Sequence, residues 1–195
     1  MNKSLFYLVE DLIKPKASFK NINISGIKTD SNEVVPGDLF IAVPGMNFDG
    51  HDFVKHAINN GASAVITNGR DINIDPIPQI KVANPRKAVS FVSSKLFNSP
   101  SKDITIIGIT GTNGKTTIAY LIANALNKAG FKTAQIGTTG VIAKGFEQKK
   151  TLTTPDAISL QKLLFEFKSS GFTHVVMEVS SHALDQYRVA DINFN

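Results

Sequence analysis

The run Gly108-Ile109-Thr110-Gly111-Thr112-Asn113-Gly114-Lys115-Thr116-Thr117 brings together the residue types that bind a polyphosphate. Glycines let the backbone approach phosphate oxygens and turn its N–H groups toward them. A helix that starts where the loop ends adds its partial positive charge. Lys115 has the reach for β- and γ-phosphates, and the Thr116 hydroxyl is a ligand type suited to Mg²⁺. The chemistry expected is the handling of ATP with Mg²⁺. The spacing departs from G-x-x-x-x-G-K-[ST]: five residues separate Gly108 from Gly114, and Ile109 stands where a glycine is expected. The alternative is a glycine-rich strand-to-helix turn that carries an unrelated lysine. Glu178 is the second chemical candidate, at the end of an apolar run. It reads as a carboxylate that holds Mg²⁺ directly or through water, or as a solvated group at a strand end. Ser180, Ser181 and His182 follow, either as site residues or as the cap of the next helix.

These residues need elements to position them. Ile104 to Ile109 is a β-branched run of the kind buried in parallel sheets. Ile118, Leu121, Ile122, Ala125, Leu126 and Ala129 then recur at helical spacing up to Gly130, which predicts an amphipathic helix. Thr133 to Ile136 resumes a strand. Thr154 reads as an N-cap with Pro155 at the first helical position, and the helix continues from Ile158 to Phe167 with Gly171 ending it. Thr173 to Val179 is a further strand. Strand–helix–strand–helix–strand predicts a parallel sheet with right-handed crossovers. Ligands gather at the carboxyl ends of such strands. Three polar segments fall there: the phosphate loop, Gly137-Thr138-Thr139, and Glu178 to His182.

The first half is also α/β. Leu5, Leu8, Val9, Leu12 and Ile13 follow helical spacing; Gly37 to Val43 reads as turn then strand. Phe53 to Asn60 reads as a helix stopped by Gly61, Ala62 to Thr67 as a strand, and Pro85 to Phe97 as a helix. Asp71 to Pro78 is a loop rich in Pro, Asp and Asn. Residues 98–102, polar and holding Pro100, form the best linker, which predicts domains at 1–100 and 101–195. Residues 1–100 carry eleven Lys/Arg against nine Asp/Glu, and residues 101–195 ten against seven. That even spread, without interleaved aromatics, argues against nucleic acid, and the modest net charge of +5 suits small anions. The absence of cysteine excludes disulfides, thiolate metal sites and cysteine catalysis, and fits a reducing compartment. Glu10 and Asp11 interrupt the N-terminal apolar residues, and no apolar run is long enough to cross a bilayer. A cytoplasmic protein without membrane insertion is expected.

Taken together, these motifs resemble the Mur ligase family. Thr110 to Thr117 is similar to that family's nucleotide loop. Further similar segments are Thr153-Thr154-Pro155, Met177 to Val189, Thr29-Asp30-Ser31, Val35 to Ala42, Asp49 to Phe53, Gly61-Ala62 and Asn84-Pro85-Arg86. The resemblance is strongest to members that add meso-diaminopimelate or L-lysine to UDP-MurNAc-L-Ala-D-Glu in peptidoglycan synthesis. It implies a small N-terminal α/β UDP-binding domain, followed by the start of a P-loop parallel-sheet ATP-binding domain. It implies that Ser31 binds the UDP part of the substrate, and that Thr153, Thr154, Ser180, Gln186 and Arg188 hold the muramoyl-dipeptide. Gly111, Thr112, Asn113, Gly114, Lys115, Thr116 and Thr117 would bind ATP, with Thr116 and Glu178 at Mg²⁺ and Lys115 and Glu178 as the catalytic groups. Two positions depart from the family pattern: Asn32 stands where Arg is common after Asp-Ser, and Tyr187 where a smaller residue or His is common.

By the same resemblance, ATP converts a substrate carboxylate to an acyl phosphate, and the diamino acid attacks it and expels phosphate. The family's Asn-x-[Ser/Thr]-x-Asp-His segment, carbamylated lysine and C-terminal domain are absent from this sequence. The chain is therefore expected to be a truncated ligase, inactive alone. Two other readings compete: a non-catalytic nucleotide- or UDP-sugar-binding fragment, and an unrelated P-loop kinase. The kinase leaves the first half and Ser180 to Leu184 without a purpose.

Overall fold

The computed structural model describes residues 1–45, 48–70, 72–146 and 152–195; Asp71, the first residue of the predicted 71–78 loop, lies outside them. The chain divides into two compact units, Met1–Leu96 and Phe97–Asn195. Both are α/β with parallel sheets.

In the first unit, β1 (Lys3–Ser4) pairs antiparallel with β2 (Asn23–Ile24), and α1 (Leu5–Val9) lies between them in sequence. The helix is shorter than the apolar spacing predicts: Leu12 and Ile13 close a turn by donating to the Val9 carbonyl. Next to that turn, Glu10 and Asp11 accept from Lys95, whose ammonium lies 4.4 Å from the centre of the Tyr7 ring. The main sheet is parallel, in the order β3 (Gly26–Lys28), β4 (Asp38–Ile41), β5 (Ala64–Thr67), β6 (Gln79–Lys81). β4 and β5 are buried throughout, with apolar Leu39 to Ile41 and Ala64 to Ile66 as expected of strands in a parallel sheet. Two helices complete the unit, α2 (Val54–Asn59) and α3 (Pro85–Leu96). Asn84 caps α3 by accepting from the Lys87 N–H, and Arg86 reaches back to the Pro44 carbonyl at 2.6 Å.

The second unit holds β7 (Thr105–Ile109), α4 (Lys115–Lys128), β8 (Thr133–Gly137), β9 (Gly140–Ile142), α5 (Ala157–Ser169), β10 (His174–Glu178) and α6 (Ser181–Asp185). The sheet order is β7-β10-β8-β9, parallel except for β9. Thus β10, last in sequence, lies between β7 and β8. Alternate residues divide between two cores. Ile106, Val175 and Met177 pack with Leu160, Leu164 and Phe167 of α5, whereas Ile109 and Val176 pack with Ala119 and Ala123 of α4.

Two predictions for this unit need correction. The spacing predicts an apolar stripe of Ile118, Leu121, Ile122, Ala125, Leu126 and Ala129, yet Ile118, Leu121, Ala125 and Ala129 are exposed, Leu121 by 60%. Ala119 and Ala123 are buried instead, with Ile122 and Leu126 packed beside them. The rotation follows from the first turn: Thr116 bonds to Glu178, and the positions three and seven residues on are Ala119 and Ala123. Their small side chains let the helix lie close to the strands. The second correction concerns the cap of α5, which is Asp156 accepting from the Ser159 N–H, not Thr154. The Thr154 hydroxyl is committed elsewhere. Among the described residues no helix is long and apolar enough to cross a membrane.

Candidate active site

Insertion of β10 between β7 and β8 brings three loops side by side at one end of the second sheet. The loop after β7 has Gly111 at φ 147° and Gly114 at φ 79°, conformations for which a side chain would be strained. Gly114 is the N-cap of α4, and no side chain caps that helix or places an acid in its first turn. The first-turn N–H groups and their partial positive charge therefore face the loop. Lys115 curls back over it, donating to the carbonyls of Gly111 at 2.6 Å and Thr112 at 3.4 Å. Thr112, Asn113 and Thr117 are exposed on the same loop and turn.

Glu178 ends β10 and is 1% exposed. Its carboxylate accepts from three donors: Thr116 Oγ1 to Oε2 at 3.0 Å, the Thr138 N–H to Oε1 at 2.9 Å, and Thr138 Oγ1 to Oε2 at 3.2 Å. It lies against Gly137 so closely that a Cβ built there would stand 2.1 Å from Oε1. Among the described residues the carboxylate's partners are thus neutral, and no cluster of three or more His, Asp or Glu forms a ready-made metal cage. One carboxylate and one hydroxyl beside a phosphate-type loop fit Mg²⁺, which keeps most of its coordination for phosphate oxygens and water.

The remaining candidates of this unit form a chain of bonds leading away from Glu178. Thr154, 1% exposed, donates to the Glu178 carbonyl at 2.9 Å and accepts from the Ser180 N–H at 3.0 Å. Its own carbonyl accepts from Arg188 Nη1 at 2.9 Å. Gln186 Oε1 takes both Arg188 Nε and Nη2, at 3.1 and 2.7 Å, and so orients the guanidinium. Ser180 caps α6 by accepting from the Ala183 N–H. Thr153 reaches Thr138 through their hydroxyls at 3.2 Å. Thr138, legible in the sequence only as part of a polar segment, is the residue at which these bonds meet.

Ser31 belongs to the first unit. It is buried; His56 Nδ1 lies 2.9 Å from its hydroxyl, and Asn60 donates to its carbonyl at 2.8 Å. It lines a cleft of about 560 Å³ with Thr29, Asn32, Val43, Phe48 and Phe53. Phe48 is 73% exposed and packs edge-on to Phe53 with ring centres 6.4 Å apart. Next to Gly50, which also lines the cleft, the buried His51 accepts from the Asn68 N–H at Nε2 and lies 2.6 Å from Asp49 through Nδ1. The first bond places the proton on Nδ1. The His51 backbone N–H, and then its ring, hold the Asp49 carboxyl below its ordinary value of 3.8, with Arg70 contributing less.

Comparison with known proteins decides what this arrangement belongs to. Residues 109–195 match the Mur ligase middle domain, and residues 23–96 match the Mur ligase family catalytic domain. The chain belongs to the Mur ligase family. It is 40% identical over 185 residues to the UDP-N-acetylmuramoyl-L-alanyl-D-glutamate–2,6-diaminopimelate ligase of Coxiella burnetii, covering 93% of this chain and 38% of that protein. A solved structure of a ligase of the same name superposes with a TM-score of 0.83 at 29% identity, covering all of this chain and 39% of the other. The MurF ligase of Thermotoga maritima, solved in complex with ADP, superposes with a TM-score of 0.53 at 27% identity, over 80% of this chain and 32% of that one. This Mur ligase chain thus spans under two-fifths of the length of these relatives.

Proposed function

We propose that this chain carries the nucleotide- and UDP-substrate-binding portions of a cytoplasmic ligase of peptidoglycan synthesis. The reaction is the ATP-dependent addition of a diamino acid, meso-diaminopimelate or L-lysine, to UDP-MurNAc-L-Ala-D-Glu. The domain division proposed is 1–100 for the UDP-substrate part and 101–195 for the nucleotide part. The observation that carries the reading is the buried Glu178 carboxylate bonded to Thr116 in the first turn after the glycine loop. A buried carboxylate with neutral partners is costly unless a cation shares its site in the working state.

In this reading Gly111 to Thr117 cradle the phosphates, with Lys115 swinging from the Gly111 carbonyl to the β- and γ-phosphate oxygens. Thr116 and Glu178 hold Mg²⁺. When bound, Mg²⁺ supplies charge neutralisation for the phosphoryl group that activates the substrate carboxylate as an acyl phosphate. Arg188, braced by Gln186, presents its fork to a substrate carboxylate, with Thr153, Thr154 and Ser180 beside it. Ser31 and the exposed Phe48 ring face the uridine end. Support comes from the ordered motifs, the family match and the ADP complex of the Thermotoga maritima relative.

Calorimetric titration of the 195-residue chain tests this. MgADP and UDP-MurNAc-L-Ala-D-Glu should each bind. Lys115→Ala should weaken the nucleotide by roughly tenfold or more while leaving the UDP substrate within about twofold, since one charge at phosphate is lost. Equal loss of both ligands, or no nucleotide binding by the unaltered chain, would sink the reading.

A further inference from the structure

We propose that Thr138 is the positioning residue of the Glu178 carboxylate, and that its hydroxyl joins this carboxylate to Thr153. The inference rests on the nucleotide–Mg²⁺ reading of the site and goes beyond it by adding a residue that touches neither nucleotide nor metal. Thr138 is the only residue among the described hydrogen bonds that reaches both Glu178 oxygens: its N–H serves Oε1 and its hydroxyl serves Oε2. A hydroxyl has one proton and two lone pairs, whereas an ionised carboxylate only accepts. The Thr138 proton is therefore spent on Glu178, and the 3.2 Å contact to Thr153 must be donated by Thr153.

The direction of both bonds is fixed: Thr153 to Thr138, Thr138 to Glu178. The flat wall of Gly137 closes the side of the carboxylate where a Cβ would stand 2.1 Å from Oε1. With that oxygen pinned, Oε2 is left facing Thr116, the hydroxyl proposed for Mg²⁺. Loss of the Thr138 hydroxyl would leave Thr116 as the sole described donor to Oε2, so that oxygen could shift while the N–H still held Oε1. Groups that orient a metal ligand in this way are worth about 10- to 100-fold in metal affinity.

The test compares Thr138→Val with Thr138→Ser, using ADP as probe with Mg²⁺ or with EDTA, by calorimetry on the 195-residue chain. Valine keeps the shape and the backbone N–H; serine keeps the hydroxyl. Expected are a Mg²⁺-dependent gain in ADP affinity for the unaltered chain, a gain reduced about tenfold in Thr138→Val, and recovery in Thr138→Ser. ADP affinity in EDTA should be the same in all three. A full Mg²⁺ gain in Thr138→Val overturns the inference alone, as does a loss in Thr138→Ser equal to that in valine, which would assign the effect to methyl packing. If Thr138→Val does not fold, the serine result stands as the decision, since a reduced gain there also overturns it. Absence of any Mg²⁺ gain in the unaltered chain overturns the nucleotide–metal reading and this inference together.

Discussion

Glu178 and Gly137 are a pair in which a missing side chain on one strand makes room for a buried carboxylate on the next. Gly137→Ala would set a methyl 2.1 Å from Oε1 and 2.7 Å from the carboxyl carbon, distances that no rotamer of alanine can relieve. The carboxylate must then leave its three donors or the strands must part. Overpacking of this kind costs about 1–3 kcal/mol. The expected outcome is a lower thermal midpoint, measured by circular dichroism, together with loss of the Mg²⁺-dependent gain in ADP binding. An unchanged midpoint would mean that the site has slack the geometry does not reveal. Much of this site was legible in the residues themselves. Gly111, Gly114, Lys115 and Thr116 fall in one short segment between a strand pattern and a helix pattern, so their association needs no long-range contact. Glu178 stood at the end of an apolar run. What Thr138 touches was hidden, because its bonds exist only when β10 enters between β7 and β8, and no local spacing encodes that order.

At the scale of elements, α4 shows how a site can set the rotation of a helix. Two apolar stripes are available in it, and the expected set draws on both, since Ile122 and Leu126 pack against the core while its other members do not. The stripe through Ile118, Leu121, Ala125 and Ala129 is as regular as the one the sheet receives. Thr116 chooses between them by facing Glu178. The choice predicts opposite responses to substitution. Leu121→Lys should change stability by no more than about 0.5 kcal/mol, as exposed positions do. Ala123→Leu should cost about 1–3 kcal/mol, since the added methylenes meet Ile109 and Val176. Urea unfolding distinguishes the two, and the reverse ranking would show that the helix is turned the other way. The shortest strands escaped the sequence for a different reason. β1, β2, β3, β6 and β9 are two or three residues long, too short to display a period. Thr154 misled as a helix cap because its hydroxyl is claimed by Glu178 and Ser180, residues more than twenty positions away.

For the whole molecule, the decisive feature is that each unit has a core of its own. Phe40, Val54 and Val65 lie in one, and Ile106, Leu164 and Phe167 in the other. Separate cores predict separate melting. The first unit should retain cooperative unfolding when the second is weakened by Phe167→Ala, a truncation that removes a fully buried ring in contact with Phe146 and Phe172 and costs about 3–5 kcal/mol. Loss of both units together in that variant would show a single cooperative body.

The ammonium of Lys95 over the ring of Tyr7 makes that experiment readable by light. The chain has three tyrosines and no tryptophan, so it is dark at the wavelengths where an indole emits. Tyr7→Trp would place a lone emitter in the first unit, beneath a cation that favours indole above other rings. Tyr120→Trp would place another on the open side of α4, where the existing ring is 55% exposed. Each emitter would report one unit with no background from the other. The colour of the first should shift on denaturation, as the indole exchanges its neighbours for water, while the second, already wet, should change mainly in intensity.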